Sequence, residues 1–226
     1  MTVLQPDHAV PPPGVVIPRR GLVLILSSPS GAGKTSLTRA LSVDQFAGLS
    51  VSISVTTRAK RPSEIPGQDY DFIEVDDFLA LRDHGDLLEW AEVHGNYYGT
   101  PRRPVERALG SGLDMIFDID WQGTRQVKEK IGRDVVTAFI LPPSMSELQH
   151  RLERRAEDSR ETIERRLANS LVEIERWAEY DYVIVNDDLG RSLDSLKSIL
   201  EAERLRRERQ TGLDGFVSSL LAERTI

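Results

Sequence analysis

The sequence predicts an α/β fold, a parallel β-sheet flanked by helices, carrying a small insertion and a short lid. Three observations predict it. Four short segments, at residues 22–26, 115–117, 135–141 and 182–185, are apolar without alternation, as expected of strands buried on both faces of a parallel sheet. Helical stretches at 34–41, 121–130 and 193–207, and one opened by Ser144, separate these strands, which calls for right-handed crossovers. Each strand also ends in a polar or sharply turning residue (Ser27-Ser28, Asp118, Pro142-Pro143, Asn186-Asp187). Ligands of open α/β sheets bind beyond those carboxyl ends.

Taken along the chain, residues 1–20 read as a flexible lead-in, because Pro11-Pro12-Pro13-Gly14 and Arg19-Arg20 favour extended, solvated backbone. Residues 21–208 form the main domain. Its core comprises 21–53, 113–150 and 167–208. Between 50 and 112 the texture changes to short mixed segments at 70–75 and 88–93, punctuated by Gly67, Gly95 and Gly99. This reads as an insertion, about 54–112, of short strands with one helix at 76–83. Ser144 with Glu147 three residues on predicts a capping box. Residues 151–166, dense in Arg and acidic side chains, form the lid. Residues 209–226 are expected to be a helical tail on or near the core.

Composition narrows the chemistry. The 226 residues include 36 acidic and 29 basic side chains, a formal charge of −7, with 39 % hydrophobic residues. That is enough apolar material for a core. The absence of cysteine excludes disulfides, Cys-zinc sites and thiol catalysis. The longest wholly apolar run, 22–26, is far short of a bilayer span, and prolines interrupt the place of a signal-peptide core. The acidic balance argues against nucleic acid as a partner. These features imply a cytoplasmic protein with no membrane partner; a homo-oligomer stays open.

The strongest chemical signal is Ser28-Pro29-Ser30-Gly31-Ala32-Gly33-Lys34-Thr35, directly after the first strand and opening a helix. It fits the P-loop pattern with Ser28 in place of the first glycine. Such a loop turns backbone N–H groups onto phosphate oxygens at a helix N-terminus. Lys34 is expected to reach the β- and γ-phosphates of a nucleotide, and Thr35 to ligate Mg²⁺. Asp118, ending an apolar strand, is the expected carboxylate partner of that Mg²⁺. Asp118 or Asp120 would also serve as the N-cap of the next helix.

P-loops serve many reactions. The chain has no N-K-x-D motif of the kind that reads guanine in GTPases. Thr56-Thr57-Arg58-Ala59-Lys60-Arg61-Pro62 instead offers a second phosphate pocket, in which Arg58 and Arg61 grip an acceptor phosphate and Tyr70 and Tyr98 add hydroxyls. The four histidines form no metal spacing. An anionic phosphate acceptor needs no general base, so positioning and charge neutralisation suffice.

Over about 21–224 the chain closely resembles bacterial guanylate kinases, which transfer phosphate from ATP to GMP. The shared segments are Ser30-Gly31-Ala32-Gly33-Lys34-Thr35, Thr56-Thr57-Arg58 with Arg61, Gly67-Gln68-Asp69-Tyr70, Glu89-Trp90-Ala91, Gly95-Asn96-Tyr97-Tyr98-Gly99-Thr100, Asp118-Ile119-Asp120-Trp121-Gln122-Gly123 and Ile184-Val185-Asn186-Asp187-Asp188. The resemblance implies a P-loop core, a GMP-binding insertion and a mobile lid. It implies that Ser54, Arg58, Arg61, Tyr70 and Tyr98 surround the GMP phosphate, and that Glu89, Thr100 and Asp120 read guanine. Arg151, Arg155 and Arg166 would close over the phosphates, and Asn186 would contact the adenine end of ATP. Arg39 is a weaker candidate; Arg154, Arg160 and Arg165 read as helix-surface ion pairs. The guanine assignment has its own chemical sense. Guanine donates from N1–H and N2–H₂, so a carboxylate accepts both, whereas adenine leaves it unpaired.

The sequence departs from the usual patterns at three places: Ser28 where the generic P-loop has glycine, though the family often has a small residue there, Lys60 where the family commonly has proline, and Ala156 where glycine usually follows the lid arginine. None removes a needed group. The reading is an ATP:GMP phosphotransferase of purine nucleotide metabolism, with dGMP a second substrate. The alternatives are a non-catalytic guanylate kinase-like module that binds protein, against which Lys34, Thr35 and Arg58 argue, and a kinase for another nucleoside monophosphate.

Overall fold

A computed structural model of the chain describes residues 15–43, 49–154 and 160–223. The central sheet has five parallel strands in the order β2-β7-β1-β8-β9: β1 (Val23–Ser27), β2 (Leu49–Val51), β7 (Asp114–Asp118), β8 (Val135–Leu141) and β9 (Tyr182–Val185). Strand β1 lies at its centre, and its side chains alternate between two cores. Leu24 and Leu26 join one cluster; Val23 and Ile25 join the other. Both faces are therefore covered, as the unbroken apolar run requires.

Helices α1 (Lys34–Val43) and α7 (Leu189–Arg204) cover the first face, through Leu37, Leu41, Leu196 and Leu200. On the second lie α3 (Arg102–Gly110) and α4 (Trp121–Ile131), through Val105, Leu109 and Val127. Helix α7 starts and ends earlier than its apolar pattern predicts. Asp188 caps it by accepting the Arg191 N–H at 2.9 Å, so the turn after β9 is already helical.

Strand β9 departs from the expectation of burial on both faces. It is the sheet's edge, with Val183 40 % and Val185 52 % exposed, because only the face toward α7 is covered. The lead-in also ends sooner than residue 20. Arg19 forms a two-pronged ion pair with the buried Asp114, and Arg20 with Asp134. Residues 1–14 lie outside the described residues.

A separate four-stranded sheet, order β4-β3-β6-β5, comprises β3 (Ser54–Thr56), β4 (Tyr70–Phe72), β5 (Leu87–Val93) and β6 (Asn96–Pro101). With α2 (Val75–Asp83) it encloses its own small core of Val55, Phe78 and Leu87, against which Trp90 and Tyr97 pack. Strand β5 is the seam between the units, since Leu87 belongs to this core and Leu88 to the main one. Adjacent strand residues point to opposite faces, so ordinary pleating lets Leu87 and Leu88 serve two cores; the register of β5 on β6 shifts between Leu87 and Glu89.

Helices α5 (Met145–Glu153) and α6 (Arg160–Ile174) overlap the segment expected to be the lid, of which residues 155–159 lie outside the described residues, and α8 (Leu213–Glu223) follows α7. Only half of the predicted capping box forms. Ser144 accepts the Glu147 N–H at 3.1 Å, while the Glu147 carboxylate takes the Arg151 guanidinium at 2.8 Å. No helix among the described residues is long and apolar enough to cross a membrane.

Candidate active site

The loop between β1 and α1 turns sharply. Gly31 and Gly33 have φ of +93° and +104°, values that L side chains rarely adopt. Gly33 is doubly constrained, because a Cβ there would sit 2.3 Å from the Asn186 side-chain nitrogen. Ser28, Pro29, Ser30, Gly31, Gly33, Lys34 and Thr35 line a hollow of about 310 Å³, closed on its other side by Asp118, Asp120 and Glu173. Ala32 is buried beneath the loop. The Lys34 ammonium lies 2.6 Å from Asp118.

Glu173 also faces this hollow. It projects from α6, and its carboxylate accepts the Ser30 N–H at 3.3 Å, so an internal anion occupies a loop amide suited to phosphate. Burial pushes its pKa up, opposed by the Ser30 N–H and the charge of Lys34. Its position seven residues beyond Arg166 puts both on one face of α6. No local sequence signal marks it, since it is one glutamate in a charged helix.

A second hollow, about 320 Å³, is lined by Val51, Ser52, Ser54, Asp69, Tyr70, Thr100, Phe117, Asp118 and Ile119. Asp118 thus belongs to the walls of both hollows. Beside this hollow, the Arg58 Nε donates to the Tyr98 hydroxyl at 3.2 Å, and the guanidinium lies 5.6 Å from the Tyr70 ring centre. Tyr70 and Tyr98 meet edge to face at 5.9 Å. Arg58, Tyr70 and Tyr98 therefore form one cluster. Arg61 is exposed next to it, its backbone N–H bonded to Glu64 at 2.8 Å.

Glu89 and Thr100 face each other across β5 and β6. The Thr100 hydroxyl donates to the Glu89 carboxylate at 2.6 Å, and both residues are buried. Desolvation raises the Glu89 pKa, and the nearby Asp120 adds to it while the Thr100 bond and Lys130 oppose it. Asp120 caps α4, accepting the Gly123 N–H at 2.9 Å. Ser54 lies within 3.5 Å of the Thr100 hydroxyl. The insertion thus presents a basic, aromatic end and an acidic end.

A third hollow, about 420 Å³, lies behind the loop, lined by Gly31, Gly33, Ser36, Arg151, Arg154, Asn186, Asp187 and Leu189. Asn186 is 5 % exposed, and its amide bonds on both sides. It donates to the Ala32 carbonyl at 2.8 Å and accepts from the Ser192 hydroxyl at 3.0 Å. It braces the phosphate loop, a role the sequence does not announce. Arg151, from α5, points its guanidinium at the carbonyls of Ala32 and Asn186, 3.4 and 3.2 Å away. It lines this hollow, while Arg166 stands on α6. Arg155 lies outside the described residues, as does Ala156.

The donor set suits Mg²⁺ carried in with a nucleotide. Thr35 and Asp118 offer hard oxygen ligands beside the phosphate hollow. Among the described residues no cluster of three metal-ligating side chains stands ready without it.

The chain matches the family model for guanylate kinase over residues 20–203. It is 61 % identical over 209 residues to a guanylate kinase of Rhizobium meliloti, covering 92 % of this chain and 95 % of that one. A guanylate kinase of Chelativorans is 59 % identical over 212 residues, covering 94 % and 97 %. Among solved structures, a guanylate kinase from Anaplasma phagocytophilum superposes with a TM-score of 0.69 at 38 % identity, covering 90 % of this chain and 96 % of its own. With a phosphate loop, an acidic and a basic end to its insertion, and relatives of this similarity along nearly its full length, the chain belongs to the guanylate kinase family.

Proposed function

We propose that the chain transfers the γ-phosphate of ATP to GMP, giving ADP and GDP, and accepts dGMP as well. The observation that carries this reading is Asp118, which walls both the phosphate-loop hollow and the hollow of the insertion. Two phosphates, one in each, would meet beside it. A GMP phosphate oxygen attacks the γ-phosphorus as the bond to the β–γ bridging oxygen breaks and ADP leaves. The attacking oxygen is already anionic, so no base is required.

In this reading the backbone of Ser28, Pro29, Ser30, Gly31, Ala32 and Gly33 cradles the ATP phosphates, and Lys34 neutralises the transferring group. Thr35 and Asp118 would hold Mg²⁺, which when bound would neutralise phosphate charge. Ser54, Arg58, Arg61, Tyr70 and Tyr98 hold the GMP phosphate. Glu89, Thr100 and Asp120 accept from and orient guanine. Arg151, Arg155 and Arg166 complete the charge balance as the lid closes and water leaves. Asn186 braces the phosphate loop and lines the hollow behind it, where the adenine end of ATP would lie. The setting is purine nucleotide metabolism in the cytoplasm.

The test is ADP release from Mg²⁺·ATP with GMP, dGMP, AMP or UMP. Turnover with GMP and dGMP alone is expected. Release indifferent to the acceptor, or none from folded protein, overturns the reading.

A further inference from the structure

Two residues of α4 that no part of the site reading uses are placed to set the guanine pocket. Strand β5 is the edge of the small sheet, and an edge strand carries backbone groups in need of partners. Gln126 supplies both partners at one residue. Its amide oxygen accepts the Trp90 N–H at 3.1 Å, and its amide nitrogen donates to the Trp90 carbonyl at 3.0 Å. A side chain thus stands in for a neighbouring strand. Four residues on, the Lys130 ammonium donates to the Leu87 carbonyl at 2.9 Å. The two grips fall on either side of Glu89.

The rest of that helix stripe fits the same purpose. Asp120, Gly123, Gln126 and Lys130 are spaced by three, three and four, so they share one face of α4. At Gly123 an added Cβ would lie 3.3 Å from the Glu89 carboxylate. The helix therefore meets the carboxylate at close range, with Asp120 capping its start.

We propose that Gln126 and Lys130 are positioning residues for base recognition: by clamping the backbone beside Glu89 to the helix that Asp120 caps, they fix the spacing of the two carboxylates. The proposal rests on the reading of Glu89 and Asp120 as guanine contacts. A carboxylate accepting from N1–H and N2–H₂ together tolerates little displacement, and a misplacement of ~1 Å can cost 10²-fold.

The test compares Gln126→Ala with the wild type on GMP and on inosine monophosphate, whose base lacks the 2-amino group. For Gln126→Ala, KM for GMP is expected to rise roughly tenfold, with KM for ATP within about twofold. The preference for GMP over inosine monophosphate should narrow by a similar factor, roughly tenfold. Lys130→Met should move the same quantities in the same direction, and Lys130→Arg, which keeps a donor for the Leu87 carbonyl, should restore them. A fall in Tm with both KM values and the base preference unchanged would reduce the clamp to a structural contact and overturn the proposal. Equal rises in both KM values would overturn it too. Glu89→Gln separates the two levels. If it abolishes the base preference while the Gln126 and Lys130 variants keep it, the clamp alone fails. If Glu89→Gln itself keeps the preference, the guanine reading falls and takes the clamp with it.

Discussion

Glu64 holds Arg58 by the end of its guanidinium fork, with its two oxygens 2.7 and 3.2 Å from the terminal nitrogens. The side of the same fork, through Nε, faces the Tyr98 hydroxyl. A guanidinium binds oxyanions along either edge, so Glu64 occupies one edge and leaves the other turned toward the tyrosines. It also accepts the backbone N–H of Arg61, and these bonds hold its carboxyl below the usual range. Glu64 therefore orients Arg58, the residue proposed to hold the GMP phosphate.

From this, Glu64→Gln is expected to raise KM for GMP several-fold, on the order of 3–10-fold, while KM for ATP stays put, as the loss of an aimed binding group should. Glu64→Ala should do more, and Arg58→Ala most. Steady-state kinetics with each nucleotide varied in turn checks the order. A lower KM for GMP in Glu64→Gln would instead make Glu64 a competitor of the phosphate.

Glu89 combines function with a stability cost. Its folded pKa is raised, mainly by burial, so the folded state binds its proton more tightly than the unfolded chain does. Stability is then lost as pH rises through the window from the unfolded to the folded pKa, and that loss persists at neutral pH. Glu89→Gln removes the charge yet keeps an acceptor for the Thr100 hydroxyl. A higher Tm is expected, at roughly 2–4 °C per kcal/mol for a chain of this size, together with a loss of kcat/KM for GMP of roughly 10²-fold. In the wild type, KM for GMP should rise as pH falls into the range where Glu89 protonates, which lies above that of an ordinary glutamate. Calorimetry and a pH series of kinetics check the two signs.

The parts that were legible in the sequence are those fixed by local chemistry. The phosphate loop follows an apolar strand and opens a helix, and its glycines announce positive φ. Asp118 and Asp120 could be placed because a strand ends and a helix begins there. Arg58, Tyr70 and Tyr98 come together as one cluster, although their contact depends on the pairing of β3, β4 and β6. Glu64, Gln126, Lys130 and Glu173 were not legible. Each acts through a contact whose direction depends on the tertiary placement of a loop or helix, and a Gln or Glu on a charged stretch looks like solvated surface. The same limit applies to Asn186, where the motif was visible but the engagement of its amide behind the loop was not. Arg19 shows the converse error. In the sequence it closes a proline-rich lead-in; in the fold it serves a buried acid.

That acid, Asp114, is fully buried at the start of β7. It accepts from Arg19 at 2.7 and 2.9 Å, from Arg204 at 2.6 Å and from the Leu22 N–H at 2.9 Å. It joins the entry to β1 with the end of α7, on the side of the sheet opposite the phosphate loop. Removing the buried carboxylate takes away the acceptor that both arginines share, at a cost of ~3–5 kcal/mol. Asp114→Ala should therefore lower Tm markedly. Arg19→Ala, which leaves Arg204 in place, should lower it less. At a permissive temperature both should keep wild-type KM values for ATP and GMP. Thermal unfolding followed by kinetics tests this, and a selective change in one KM would contradict it.

The contact between Glu173 and the Ser30 N–H leads to the last expectation. Nucleotide phosphates entering the hollow bring negative charge to a wall that already carries Asp118, Asp120 and Glu173. Lys34 offsets only part of this, being paired with Asp118 at 2.6 Å. In the proposed reading ATP would compete with Glu173 for the loop amide, and Glu173 shares its face of α6 with Arg166. Glu173→Gln keeps the shape, lowers the repulsion and weakens the docked contact. It should tighten ATP binding by roughly 3–10-fold, the scale of one partly exposed charge interaction, and leave GMP binding unchanged. Isothermal titration with a non-hydrolysable ATP analogue measures this directly. Tighter binding at low salt that fades as salt rises would identify the effect as electrostatic. Weaker binding would mean that Glu173 helps hold the bound nucleotide, so its seat on the loop would be a resting place rather than a barrier.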